Sequence, residues 1–381
     1  MRNSSRGRID PFIVMDVMEA ARAAEAGGRR IIHMEVGQPG TGAPAAALAR
    51  LAAGMQAEPL GYTVGLGLPE LRARIARHYG ERHAIDLDPG RVVVTAGASG
   101  AFVLAFIALF DAGERVGLAA PGYPSYRQIL RALDVRPVDI ETGLESDFQP
   151  RPEDVARHDL AGLIVASPAN PTGSMLSRDD LAALADACAA RDAALVSDEI
   201  YHGLTFGREE TTALAVTDEV AVVNSFSKYF SMTGWRLGWL VVPAALVRTI
   251  ERLAQNLFIC PPHASQRLAL HAMDCEAELQ ANVATYARNR EIVMRALPAM
   301  GLTRFPAPDG AFYVYVDVSH VSDDSRALAA RILDEVGVAV TPGLDFDPAR
   351  GQGWLRLSYA RATPEIEEGM ARLARFFGAG G

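Results

Sequence analysis

The stretch Val220-Ala-Val-Val-Asn-Ser225-Phe-Ser-Lys228, followed by Gly234-Trp-Arg236-Leu-Gly238, decides how this chain is read. Val220 to Val223 is a continuous apolar run of strand type, and Arg236 to Val242 is a second. Runs without polar alternation mark strands buried on both faces. Lys228 therefore leaves one buried strand shortly before the chain enters another. Desolvation lowers a lysine pKa toward the range where the neutral amine is a nucleophile, which suits an imine with an aldehyde cofactor. Ser225, Ser227 and Arg236 then supply donors for a dianionic phosphate, the arginine matching two oxygens at once. The same short pattern also fits an exposed lysine in an ordinary loop, because such motifs recur by chance. The surrounding chain decides between the two.

On both sides of this stretch the texture is strand, turn, helix. Strands are predicted at Val92 to Thr95, Arg115 to Ala119, Val135 to Ile140, Leu160 to Ala166 and Ala194 to Ser197. Helices are predicted at Ser99 to Phe110, Tyr126 to Leu133 and Ser177 to Ala190. Short apolar strands alternating with helices predict a mostly parallel sheet covered on both faces, with ligands at the strand ends. Before it, Asp10-Pro11 opens a predicted helix that stops at Gly27-Gly28. A strand follows at Ile31 to Val36, then helices at Ala43 to Gly54 and Leu68 to Arg82. After it come helices at Pro243 to Ala254, Ala264 to Met273 and Ala277 to Met300. The texture then changes: Ala311 to Val318 and Trp354 to Tyr359 alternate apolar and polar residues, with helices at Leu328 to Glu335 and Pro364 to Phe376. This predicts a smaller α+β unit.

The 381 residues are 49% hydrophobic and 22% charged, an ordinary globular composition long enough for a large core. With a net charge of −9 and dispersed arginines, no nucleic-acid or polybasic membrane surface is expected. Cys188, Cys260 and Cys275 fall at no metal or redox spacing, so no metal site is expected, and the sparse, odd count fits a reducing compartment. Met1 to Asp10 has no apolar signal-peptide core, and no apolar run reaches the roughly 18 residues of a membrane span. The expected setting is the cytoplasm.

Further candidate residues lie in the predicted loops. Thr95-Ala-Gly97-Ala98-Ser99-Gly100 joins a strand to a helix start, where small residues and the helix dipole favour an anion; an ordinary tight turn fits equally. Tyr123, in Ala120-Pro-Gly-Tyr123-Pro-Ser, can stack on a flat ring or simply sit exposed in a turn. Ser167-Pro-Ala-Asn170-Pro171-Thr-Gly173 is a fixed loop that admits a cis Asn170–Pro171 bond, with Asn170 able to donate to a phenolate oxygen. Asp198, in Val196-Ser-Asp198-Glu-Ile-Tyr201, ends an apolar strand, where an acid needs a cation such as a protonated pyridine nitrogen or else serves as a helix cap. Tyr201 can reach the same ring. Arg356, in Trp354-Leu-Arg356-Leu-Ser-Tyr359, can clamp a carboxylate or form a surface ion pair.

Together, and in this order, the motifs resemble the class I/II aminotransferases, the pyridoxal-phosphate enzymes of fold type I, from Gly37-Gln-Pro39 to Arg356. The resemblance implies a large α/β domain (47–284) with a mostly parallel seven-stranded sheet, and a small α+β domain (1–46 and 285–381). It implies pyridoxal 5′-phosphate as cofactor, and amino-group transfer from an L-amino acid to a 2-oxo acid by ping-pong kinetics. Lys228 would carry the cofactor and then shuttle the proton, and Asp198 would keep the ring nitrogen protonated. Asn170 and Tyr201 would bond the phenolic oxygen, and Tyr123 would stack on the ring. The backbone of Gly97, Ala98 and Ser99, with the side chains of Ser99, Ser225, Ser227 and Arg236, would bind phosphate. Tyr62 would reach the phosphate from a partner subunit, implying a homodimer. Arg356 would hold the substrate carboxylate, with Gly37 and Asn170 beside it. Ala98 stands where many relatives carry glycine. A carbon–sulfur β-lyase on the same fold is the nearest alternative, and a non-catalytic regulator is a more distant one. The donor and acceptor are open.

Overall fold

The computed structural model describes residues 2–57 and 59–378; Met1, Glu58 and the last three residues of the Gly-Ala-Gly-Gly tail lie outside them. The first long helix, α1 (Ile13–Ala26), ends at Gly27 as predicted, but Asp10 does not start it. Asp10 instead pairs with Arg131 at 2.5 Å. The unpaired amides of Ile13 and Val14 donate to the Asp345 carboxylate at 2.9 and 3.2 Å. A carboxylate far away in sequence thus satisfies the orphan donors of this first turn. The strand predicted from Ile31 to Val36 shortens to β1 (Ile32–His33), which pairs in parallel with β10 (Val338–Ala339). Helices α2 (Ala45–Ala57) and α3 (Pro69–His83) follow.

The alternating texture after Arg91 folds as expected. Strands β2 (Val92–Thr95), β3 (Arg115–Ala120), β4 (Arg136–Glu141), β5 (Gly162–Ala166), β6 (Ala194–Asp198), β7 (Val220–Ser225) and β8 (Gly238–Val241) form one sheet in the order β2-β8-β7-β6-β5-β3-β4. Pairing is parallel except along β8, which runs antiparallel to both of its neighbours. The absence of polar alternation has a direct cause. Val220 and Val222 enter one core, together with residues of α3, α7 (Arg178–Ala189) and α9 (His263–Ala272). Ala221 and Val223 enter the other, with α4 (Gly97–Leu109), α5 (Pro124–Ala132) and α8 (Ala244–Leu257). Helix α6 (Pro152–His158) has no counterpart among the predicted elements. It buries only one apolar residue, Val155, and so leaves no periodic signal.

The long helix α10 (Glu276–Ala299) leads to a three-stranded antiparallel sheet of β9 (Tyr313–Asp317), β11 (Thr341–Pro342) and β12 (Trp354–Ser358), in the order β11-β12-β9, flanked by α11 (Ser325–Val336) and α12 (Thr363–Gly378). Helices α2 and α10 run across positions 46/47 and 284/285, where the division into domains is expected. The alternation in β9 and β12 suggests one solvent face, yet both strands are buried almost throughout. Val314, Val316, Leu355 and Leu357 join the main core. The other face carries Tyr313, Tyr315 and Arg356. Tyr313 reaches Tyr201 just beyond the end of β6, so this polar register faces a site rather than water.

Candidate active site

The turn from β2 into α4 is built to approach an anion closely. Gly97 has φ 72°, and a Cβ there would lie 2.7 Å from Arg236 Nη2. A Cβ on Gly238 would meet the Asn224 carbonyl at 2.8 Å and Ala98 N at 2.9 Å. Both positions therefore need glycine. Ala98 is not among the residues of positive φ, so its methyl group fits the turn. Ser225 and Ser227 are buried and joined Oγ to Oγ at 2.9 Å, and Ser227 N donates to Ser225 Oγ at 3.1 Å. Arg236 is exposed in a left-handed conformation (φ 50°), its Nη1 tied to the Thr233 carbonyl at 3.0 Å, and Ser99 is exposed on the first turn of α4. The free amides and dipole of this helix start, with one guanidinium and two hydroxyls close by, suit a dianion.

Past the ends of β6 and β7 the structure brings together Lys228, Asp198 and Tyr201. Lys228 is half-buried, and its Nζ donates to the Gly37 carbonyl at 2.6 Å and lies 5.8 Å from the centre of the Tyr201 ring. Burial, and then the positive charges of Arg356 and Arg236, lower the lysine to about 8, against an opposing pull from Asp198. Asp198 is buried, and burial raises its carboxyl to about 6 although Tyr126 and the amide of Ile200 stabilise the charge. The Tyr126 hydroxyl donates to Asp198 Oδ2, and Ile200 N donates to Oδ1 at 3.1 Å. The Tyr201 and Tyr313 hydroxyls share a hydrogen bond of 2.8 Å.

Arg356 closes the other side. It is buried, and Nη1 donates to Asn170 Oδ1 at 2.9 Å, which fixes the amide's orientation. Nη2 donates to the Glu35 carbonyl and to Thr341 Oγ1, while Nε has no partner among the described residues. The guanidinium lies 4.4 Å from the ring centre of Tyr313 and 4.7 Å from that of Phe346. The Asn170–Pro171 bond is cis, as the loop's composition allows. A Cβ on Gly37 would lie 1.7 Å from the Tyr313 hydroxyl, so only glycine lets this backbone pass between Lys228 and β9. Tyr123 is half-buried, edge-on to Tyr126 at 5.3 Å and to Phe12 at 5.9 Å.

Tyr62 does not join this cluster: it is 83% exposed. Its loop is held to the segment after α8 by Thr63 N donating to Cys260 Sγ at 3.4 Å and by His263 Nδ1 against the Gly61 carbonyl at 2.9 Å. The sequence reading missed Tyr126, Tyr313, Glu35, Thr341 and Phe346. Tyr126 lies one helical turn after Tyr123 and was legible from that spacing. Glu35 acts through its carbonyl, which carries no sequence signal.

The family described as aminotransferase class I and II matches residues 29–373. The valine–pyruvate aminotransferase of Mycobacterium tuberculosis is 47% identical over 378 residues, covering 98% of this chain and 97% of that protein. Among solved structures, an aminotransferase from Mycobacterium tuberculosis superposes with a TM-score of 0.97 at 45% identity, covering all of both chains. The Thermus thermophilus aspartate aminotransferase with maleate gives 0.91 at 31% identity, covering 98% of this chain and 100% of that one. Family match, full-length likeness and a lysine–aspartate–tyrosine cluster at the strand ends agree, and the chain belongs to the class I and II aminotransferases.

Proposed function

We propose that this aminotransferase takes its amino group from an uncharged, apolar L-amino acid such as valine and passes it to pyruvate. The observation that carries this reading is the single guanidinium of Arg356. Among the described residues, the cations with the largest effect on Lys228 are Arg356 and Arg236, and Arg236 belongs to the turn at Gly97. One clamp remains for one carboxylate, and the groups beside it are the rings of Tyr313 and Phe346. A dicarboxylate would need a second cation for its side chain. The likeness to a valine–pyruvate enzyme supports the same choice.

The family's cofactor is pyridoxal 5′-phosphate, and the residues fit it. The turn at Gly97 leaves a cradle that a Cβ would close against Arg236. Asp198 is a buried acid awaiting a cation, and Lys228 is an amine lowered toward neutrality. When bound, the cofactor supplies an aldehyde for the amino group and a ring that accepts electrons. The chain does the rest. Gly97, Ala98 and Ser99 through their amides, and Ser99, Ser225, Ser227 and Arg236 through their side chains, hold the phosphate. Asp198 keeps its negative charge against the ring nitrogen. Asn170 and Tyr201 hold the ring oxygen, and Tyr123 packs on the ring face. Arg356 binds the α-carboxylate beside Gly37, which aims the Cα–H at Lys228. The lysine Nζ takes that proton and returns it on the other side of the exchange, as a general base and acid whose pKa lies near the working pH. Donor and acceptor occupy the same clamp in turn, which gives ping-pong kinetics.

Tyr62 acts from a second copy of the chain. Tyr62, Val64, Phe258 and Ile259 are all exposed, and hydrogen bonds tie the Tyr62 loop to the segment after α8. Such an apolar surface supports a homodimer in which each tyrosine reaches the partner's phosphate. The division near 46/47 and 284/285 and a cytoplasmic setting complete the reading; the three free cysteines support a reducing compartment.

The test is a half-reaction: cofactor-loaded protein is mixed with single amino acids and no oxo acid, and absorbance and oxo acid are followed. Valine is expected to convert the cofactor with one oxo acid per chain, and aspartate to leave it unchanged. Reaction of aspartate with a kcat/KM at or above that of valine overturns the proposal.

A further inference from the structure

The turn after β6 carries part of a second polar cluster that the transamination chemistry does not use. His202 follows Tyr201 directly. Its side chain is 4% exposed, and neither ring nitrogen has a hydrogen-bond partner among the described residues. A buried imidazole left in that state is costly unless a ligand takes one nitrogen. Glu199 Oε2, which also lacks a hydrogen-bond partner among the described residues, lies 3.5 Å from His202 Nδ1. The other Glu199 oxygen already accepts from Ser197 Oγ at 3.1 Å and Ala213 N at 2.7 Å, so the carboxylate is fixed in place. A small approach lets Nδ1–H donate to Oε2. That sets the tautomer and leaves Nε2 as a lone-pair donor, the carboxylate–histidine arrangement that supports metal ligands.

Two further donors converge on His202. One ligand atom each of His83, His202 and Glu210 all lie within 4.8 Å of one another. His83 ends α3, and its ring centre is 5.4 Å from that of His202. Glu210 accepts from Arg82 Nε at 2.5 Å and from Gly203 N at 2.6 Å, one bond on each oxygen, and each oxygen keeps a second lone pair. The cluster borders a solvent-open cavity of about 590 Å³ lined by Arg82, His83, Glu210 and Thr212, which gives an entry path. Arg82 opposes a cation here; Glu210 and Glu199 offset it.

We propose that His83, His202 and Glu210 form a divalent-metal site of the zinc type, with Glu199 orienting His202 and a water completing the shell. Two imidazoles and one carboxylate select zinc or a similar borderline ion over magnesium or calcium. No spacing motif announces the site, because the ligands come from a helix end, the turn after β6 and the loop after it. The ion ties α3 to the turn that follows Asp198 at the end of β6 and carries Tyr201, so His83 and Glu210 are positioning residues and not catalytic ones.

The test uses cofactor-loaded protein stripped with a chelator and dialysed against Zn²⁺ alone or Co²⁺ alone. One ion per chain is expected, with the visible absorption of a four-coordinate nitrogen and oxygen site for Co²⁺ and a rise in Tm for Zn²⁺. His83→Ala and the milder His83→Gln should each weaken binding by about 10–100-fold, and Glu210→Gln should do the same. Cys275→Ser should leave the zinc content unchanged. Sub-stoichiometric zinc in the unaltered protein overturns the site without recourse to any variant. So does zinc binding that survives both His83 variants or disappears with Cys275→Ser.

Discussion

Lys228 and Gly37, far apart in sequence, meet through a hydrogen bond of 2.6 Å from the lysine Nζ to the glycine carbonyl. The bond holds the amine at the mouth of the cluster while burial and the positive charges of Arg356 and Arg236 lower its pKa to about 8. The sign follows directly. Below that value the amine is mostly protonated and cannot attack an aldehyde. Capture of pyridoxal 5′-phosphate by cofactor-free protein should therefore accelerate about tenfold per pH unit up to about pH 8 and then level. Stopped-flow absorbance measures it, and a profile still climbing toward the ordinary lysine value of 10.5 would mean that the cluster does not tune the amine.

Tyr126 donates to the Asp198 carboxylate. Burial alone pushes that acid up, and the phenol is the first of the groups that hold it down, to about 6. Activity that needs the ionised acid is lost as pH falls through this range. Tyr126→Phe removes a hydrogen bond to a charged group, worth about 1.5–3 kcal/mol. The acid limb of kcat/KM should shift upward in pH, with a loss of about 10–100-fold near neutrality. Asp198→Asn should cost about 10²–10³ in kcat, the scale of a lost preorganised charge contact. An unchanged acid limb in Tyr126→Phe would assign that limb to another group.

The large sheet was readable because its inner strands are buried on both faces, and a strand such as β7 records this as four apolar residues in a row. Helices α3 and α7 were readable from apolar spacing, and the chemistry-bearing loops from proline, glycine and a few polar residues at strand ends. What escaped is non-local. The cap of α1 comes from Asp345. The partner of Tyr201 is Tyr313, inside a strand whose alternation suggested solvent on one side. The Glu35 carbonyl anchors Arg356 through its backbone, where any residue type offers the same atom. Periodicity reports burial, and it does not say whether a polar face looks at water or at a site.

Arg356 reaches Asn170 through one terminal nitrogen and Glu35 and Thr341 through the other. Lysine carries the charge but not the planar fork. Arg356→Lys should lower kcat/KM by about 2–5 kcal/mol, or roughly 30-fold to several thousandfold, mainly through KM. An amine substrate without a carboxylate should react equally with both proteins. If that amine loses as much as the amino acid does, the residue shapes the site and does not clamp the carboxylate.

Tyr62 is exposed on a loop fixed to the segment that follows α8. In the proposed dimer its hydroxyl donates to the partner's phosphate, so Tyr62→Phe should weaken cofactor affinity by about 1.5–3 kcal/mol with the dimer intact. Phe258→Asp should instead split the dimer, because it places a charge in the apolar patch. Sedimentation velocity should give twice the 40.8 kDa chain mass for the unaltered protein and for Tyr62→Phe. A monomer that binds the cofactor normally would refute the shared site.

Asp345 accepts from the first amides of α1 at 2.9 and 3.2 Å, doing from a distance what a cap residue does locally. Asp345→Ala leaves those two donors unpaired and should destabilise the protein by about 1–2 kcal/mol, lowering the urea midpoint without changing the slope. Asp345→Asn keeps one carbonyl acceptor and should recover part of the loss. The effect should reach the site as well. Phe12, just before the helix, packs edge-on to Tyr123 at 5.9 Å, so a frayed start to α1 should raise KM while the pH profile of kcat stays in place. Equal stability of Asp345→Ala and the unaltered protein would show that water caps this helix as well as the carboxylate does.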